Sequence, residues 1–284
     1  NMNKWTKKLM GLVCALALMT LCLATAVAEN ISFAGGSGTK EDPYQIETLE
    51  QLQAMANDMA ASYVLTADID AGSLEAWTPI GNSSGNGFAG TFNGDGHAIS
   101  ALYVNMTLSF GSGVGMFGYL AKPALVKNVR IVSGAVNSVG MNGTGSIVGI
   151  MRSGTMLLNC ANSASVTSNS WNTGGIVGEM QTGSSAWNCY NTGTVTASQY
   201  VIGGIAGVAH DLYNCYNLGD VRSEWGNSGT LRVGGIAGVS TGYESSDTKN
   251  ILRNCYNAGK ITTLNGNKKD VGLIIGNGNN GSSW

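Results

Sequence analysis

One recurring string, Asn-Cys-x-Asn with its flanks, limits the fold more than any other feature of this chain. "NCYNTGTV" begins at Asn188, "NCYNLGDV" at Asn214 and "NCYNAGKI" at Asn254, and a fainter copy, "NCANSASV", begins at Asn159. A second string keeps time with it. "GSIVG" starts at Gly145, "GGIVG" at Gly174 and "GGIAG" at Gly203 and Gly234, so the starts lie 29, 29 and 31 residues apart. Diverged copies are "VGMFG" at Val114 and "GLIIG" at Gly272. Self-similarity at such a period marks an architecture in which each unit buries its apolar face against the next.

Each unit reads as a short apolar strand (Gly-Gly-Ile-x-Gly), a loop, a second strand (Leu-x-Asn-Cys-Tyr-Asn), a glycine turn and a third strand. Three strands of about five residues with their corners fill one coil of a parallel β-solenoid. Composition agrees: 42 glycines, 3 prolines and 11% charged residues suit many short strands joined by tight turns, and argue against collagen or a disordered linker. A β-propeller is the alternative, but its blades need about 40–45 residues each. The expected fold is all-β, a parallel β-helix with a short N-terminal capping helix.

Stacked coils repeat every ~4.8 Å, so Cys160, Cys189, Cys215 and Cys255 are expected in one column. Metal binding would need paired spacings such as Cys-x2-4-Cys, which are missing here. A disulfide stays open in a secreted chain, although parallel side chains suit its geometry poorly. The preferred reading is an interior ladder, because the earlier unit "VKNVRIVSGAV" has Val129 where the others have cysteine. Asn159, Asn188, Asn214 and Asn254 are then expected to stack at one corner, with Asn191, Asn217 and Asn257 near the next, their amides bonded from coil to coil.

The front of the chain differs. "TLEQLQAMANDMA" (Thr48 to Ala60) predicts a helix with a Thr48–Gln51 capping box and an apolar stripe of Leu49, Leu52, Met55, Ala56 and Met59. Such a helix could cover the open end of a solenoid, which otherwise invites strand addition. The expected organisation is 1–28 as signal peptide, 29–113 as cap and first coils, and 114–284 as repeats, truncated after "GLIIG".

The order "EDPYQI", "LTADID", "WTPIG", "FAGTFNGDGHAISALYV", "VGMFG", followed by the "GGIVG…NCYNTGTV" units, resembles bacterial secreted β-helix proteins with GLUG repeats. The resemblance spans Gly35 to Gly276. It departs at Asn93, where the family often has Asp, and in the first units, which lack the double glycine. It implies a right-handed parallel β-helix and an adhesin-like surface role. Similar repeats occur in non-catalytic regions of IgA-cleaving metallopeptidases, so the resemblance supplies no active site.

Lys4, Lys7 and Lys8, the apolar run from Leu9 to Ala24 and "AVA" at Ala26–Ala28 read as a signal peptide cleaved before Glu29. A retained anchor is the rival reading, and Leu21 is too bulky for a lipidation site at Cys22. Residues 1–28 hold three of the 15 basic residues and none of the 17 acidic ones, leaving a net charge near −5. Nucleic acid is thus an unexpected partner, and no membrane contact is expected beyond the signal segment. Localisation is expected to be secreted or cell-surface.

Chemistry is sparse. His-Glu-x-x-His is absent, and the only histidines are His97, in a glycine turn, and His210, read as a solvated loop residue. Asp68, Asp70 and Asp95 form the best acidic group and read as turn residues, with calcium as the alternative. "GNGNNGSSW" lacks the Lys-Ser/Thr of a phosphate loop. No catalytic residue, metal ligand or cofactor is therefore assigned. Tyr190, Tyr216 and Tyr256 share one repeat position, and Trp187 and Tyr213 another, so both columns are candidate ligand contacts, with mutual stacking as the plainer role. The expected function is non-enzymatic presentation of a repeat surface to glycans or to host or surface proteins. The alternatives are a polysaccharide lyase or glycosidase, which needs paired carboxylates or a base beside a cation, and a passive stalk.

Overall fold

The computed structural model describes residues 31–107, 112–140, 143–226, 231–240, 250–264 and 270–278. The signal-peptide segment 1–28 lies outside them. From Phe33 onward the chain winds as a parallel β-solenoid whose coils contribute to five sheets. One coil shows the order: Phe117–Leu120 (sheet V), Leu125–Lys127 (sheet I), Arg130–Ile131 (sheet II), Gly134–Val139 (sheet III), Gly143–Thr144 (sheet IV), then Val148–Met151 back in sheet V. Among the described residues, sheets I to V hold 8, 7, 6, 6 and 6 strands, about six full turns.

Register follows the repeat. Sheet I stacks Tyr63, Phe92, Val126, Leu157, Ala186, Leu212 and Leu252 in one inward column. Its members from Tyr63 to Leu212 are fully buried and belong to one continuous core. Each coil covers the apolar face of its neighbour, and this burial is the main force holding the stack together.

Each coil of the repeat region has five short strands rather than three, because both long predicted strands are bent in the middle. "Leu-x-Asn-Cys-Tyr-Asn" breaks at its first asparagine: Asn128, Asn159, Asn188, Asn214 and Asn254 all have φ of 54° or 55°. Asparagine tolerates this left-handed conformation better than most residues. "Gly-Gly-Ile-x-Gly" breaks between sheets IV and V, and its glycines are there for space. A Cβ on Gly174 would land on the Val177 carbonyl, one on Gly175 on the Gly204 carbonyl and the Asn191 amide, and one on Gly178 on the Thr144 backbone.

The helix is shorter than predicted. An α-helix spans Leu49–Ala54 and a 3-10 turn Met55–Asn57, with the Thr48–Gln51 capping box formed. Leu49, Leu52 and Met55 enter the core, whereas Ala56 is exposed. Asp58 stops the helix in an extended conformation. This segment joins Tyr44–Ile46 to Ser62–Leu65, the first two strands of sheet I, in place of the strands that later coils place in sheets II to V.

Candidate functional site

The I–II corner carries most of the residues singled out by the repeat. Alternation along the short strands decides where each one points. The corner asparagine faces out, the cysteine after it faces in, the tyrosine faces out and the second asparagine faces in.

The outer asparagines form a ladder. Each Nδ2 donates to the Oδ1 one coil earlier: Asn128 to Asn93 at 2.8 Å, Asn159 to Asn128 at 3.1 Å, Asn188 to Asn159 at 2.9 Å, Asn214 to Asn188 at 2.9 Å, and Asn254 to Asn214 at 3.1 Å. The inner asparagines form a second ladder, from Asn162 to Asn191, Asn217 and Asn257, with every step at 2.8 Å. Inside the core these amides also bond their own turn, as when Asn191 donates to the Gly193 carbonyl at 2.8 Å. The same inner column holds Ile69, Ile99 and Ile131 in the earlier coils.

Cys160, Cys189 and Cys215 are buried and unpaired, and Cys255 is half-buried. Val129 is buried at the equivalent place one coil earlier. The thiols rest on backbone carbonyls, Cys189 on Trp187 at 3.3 Å and Cys215 on Tyr213 at 3.4 Å. Cys189 is held well above the ordinary thiol range by hydrogen bonding with Cys160 and Cys215 and by burial.

Tyr190 and Tyr216 stack with centroids 4.9 Å apart and planes 2° apart, and Tyr216 and Tyr256 at 5.1 Å and 4°. Trp187 and Tyr213 stack at 3.8 Å and 14°. The facing ring surfaces of each column are therefore taken up by neighbouring rings. Tyr190 and Tyr216 are half-buried and Tyr256 is exposed, so what the column chiefly offers outward is ring edges and hydroxyls. The Tyr216 phenol is pushed up by desolvation and then by its two tyrosine neighbours, which keeps it a neutral hydroxyl.

The same register extends the Trp187–Tyr213 column to Lys127 and Leu158 on one side and Arg253 on the other. These neighbours were readable in the sequence, since each lies two residues before the cysteine or its valine equivalent. At the III–IV side, Trp171 and Tyr200 are also exposed, and Tyr200 packs on Trp225 at 4.8 Å. No repeated string marked them.

The titratable candidates are turn residues. His97 Nδ1 lies 3.2 Å from Asp68 Oδ1, which also accepts the Ala98 N–H at 2.9 Å. These bonds, the Ala98 one first, hold the Asp68 carboxyl below its ordinary range. Asp70 caps the Gly72 N–H, and Asp95 accepts from the Asn93 amide. Among the described residues no three His, Cys, Asp or Glu side chains converge as metal ligands would. His210 is buried rather than solvated. The turns at 152–155 and 181–184 join sheet V to sheet I, but in the next coil His210 alone makes that link. It takes the vacated space, accepts the Gly183 N–H at Nε2 (3.3 Å), and sets Nδ1 3.3 Å from Asp211 Oδ1.

No family model matches the chain. It is 34% identical over 132 residues to "Putative Gly-rich membrane protein" of Evansella cellulosilytica, covering 44% of this chain and 14% of that one. It is 36% identical over 148 residues to "Halomucin" of Haloquadratum walsbyi, covering 48% of this chain and 2% of that one. The chain thus spans only a small fraction of the length of these relatives. Its fold is similar to the crystal structure of "a putative immunoglobulin A1 protease from Bacteroides ovatus", with TM-score 0.60, 21% identity, and 86% of this chain and 85% of that one covered. That likeness concerns the fold alone. No helix of the described residues is long and apolar enough to cross a membrane.

Proposed function

We propose that this chain is a secreted or cell-surface, adhesin-like β-solenoid that binds without catalysis, built on GLUG-type repeats. Its ligands are extended glycans, or glycosylated proteins of a host or of the surroundings, held at the I–II corner. The observation that carries this reading is the in-register row of outward groups: tyrosine rings at 4.9 and 5.1 Å spacing beside an exposed asparagine ladder. A regular row of hydroxyls and amides suits a polymer that offers hydrogen-bonding groups at regular intervals. Each contact is weak, and a row of them acts together. The names of the relatives, one a membrane protein and one Halomucin, support a surface setting.

The test is retention of the protein on immobilised mucin glycans. Replacing Tyr190, Tyr216 and Tyr256 together by Ser should weaken retention at least about tenfold, equivalent to ~1.4 kcal/mol. Unchanged retention would remove the corner from the binding site, and no retention by the unaltered protein would favour a passive stalk.

A further inference from the structure

A groove of about 720 Å³ lies across the outer face of sheet I at the N-terminal end of the solenoid, beneath the turn that precedes the first strand. Its polar lining is Thr39, Lys40, Ser62, Thr91, Asn93 and Lys127. The Asn-Cys strings do not reach it; it meets the start of the outer asparagine ladder at Asn93 and is separate from the tyrosine column.

We propose that this groove binds a carboxylated glycan, with Lys40 and Lys127 receiving the sugar carboxylates and the hydroxyls beside them receiving the ring oxygens and hydroxyls. Two lysines and no acidic side chain line it. Neither lysine enters any of the ion pairs found among the described residues, which are His97–Asp68, His210–Asp211 and Arg222–Asp220. Glu41 and Asp42 follow Lys40 in the chain but do not line the groove. An ammonium outside these ion pairs, at a concave surface that also carries hydroxyls, is available for charge-assisted hydrogen bonds to a carboxylate.

The choice of a sparsely charged glycan follows from charge density. The whole chain is acidic, at −2, so a densely charged polyanion such as a nucleic acid meets net repulsion from the chain as a whole. A polymer with a carboxylate on some of its rings meets the cations without that penalty. Direction follows from the register. Asn93 and Lys127 stand in the same outward column as Leu158, Trp187, Tyr213 and Arg253. Lys127 is two rungs from Trp187, about 10 Å at ~4.8 Å per rung. A glycan leaving the groove along this column passes the Trp187–Tyr213 pair and reaches a third cation at Arg253.

The probes are a short hyaluronan oligosaccharide, with a carboxylate on every second ring, and a neutral chito-oligosaccharide of equal length, with binding measured by calorimetry. The acidic oligomer should bind and the neutral one should not. The double variant Lys40→Glu/Lys127→Glu should lose at least about tenfold in affinity, each lysine contributing a charge-assisted contact. The milder Lys40→Gln/Lys127→Gln variant should fall between them, with an unchanged circular dichroism melt. Raising salt from about 0.01 M to about 1 M shortens the screening length from about 30 Å to about 3 Å and should weaken binding in the unaltered protein only. The Tyr190/Tyr216/Tyr256 serine variant should bind the acidic oligomer as before, which separates this site from the corner. Equal binding by the unaltered and charge-reversed proteins, or no binding of the hyaluronan oligosaccharide, would overturn the proposal. So would equally tight binding of a single-stranded oligonucleotide, which would reveal general polyanion attraction.

Discussion

The Asn191 amide nitrogen donates to Asn217 Oδ1 at 2.8 Å with both side chains fully buried, so a polar ladder runs inside the apolar core. Asn217 in turn donates to the Gly219 carbonyl at 2.7 Å and to Asn257 at 2.8 Å. Replacing Asn217 by Leu keeps the branching and the number of side-chain heavy atoms but strands these partners. The expected cost is at least about 2 kcal/mol, because each buried group left unpaired costs about 1–3 kcal/mol. Thermal melting of Asn217→Leu checks this, and an unchanged melt would mean that the inner ladder contributes nothing to stability.

The double glycine is tied to that ladder. A Cβ on Gly204 would land on the Gly235 carbonyl and on the Asn217 amide, both inside the stack. Gly204→Ala should therefore destabilise by more than about 4 kcal/mol or prevent soluble expression, a size reserved for core disruption. Gly85 is the control, since nothing lies within 4 Å of its added Cβ. Gly85→Ala should stay within about 0.5 kcal/mol of the parent. Equal melts for the two variants would refute the close-approach explanation of the motif.

The period, the parallel stacking and the inward sense of the cysteine position were legible in the sequence, because strict register repeats one position through every coil; which way the tyrosine columns and the two asparagine columns face was not. The strand breaks were less legible. Asn188 reads as part of a strand until its φ of 55° is known, and the Gly174–Gly178 string reads as one strand although two sheets meet within it. His210 was misread because a shortened turn changes a loop residue into a plug, and a single sequence shows the shortening without showing what fills the gap. The tyrosine column was legible as a column, but ring orientation was not, and orientation decides whether faces or edges meet a ligand.

The outer corner separates backbone conformation from amide bonding. Asn188→Gly keeps the left-handed turn and loses the ladder bonds to Asn159 and Asn214, each 2.9 Å. Bonds among exposed amides contribute about 0.5–1 kcal/mol each. Asn188→Val loses the same bonds and adds about 1–2 kcal/mol for a side chain that disfavours positive φ. The melts should rank parent, then glycine, then valine. Valine melting level with glycine would show that the corner does not demand this conformation.

The thiol column predicts a reactivity order. Burial keeps reagent from the sulfurs, so Cys160, Cys189 and Cys215 should resist alkylation in the folded protein. Half-exposed Cys255 should react first. Denaturation without reductant should release all four of these thiols to titration. Recovery of two or none would establish disulfides in place of the ladder.

The most direct measurement incubates the chain from Glu29 to Trp284 with an array of mucins and acidic and neutral glycans, reading retention and released products together. Retention without products is the predicted result for a binding solenoid. Released oligosaccharides that accumulate with time, in independent preparations, would contradict it and return the search to the scattered carboxylates.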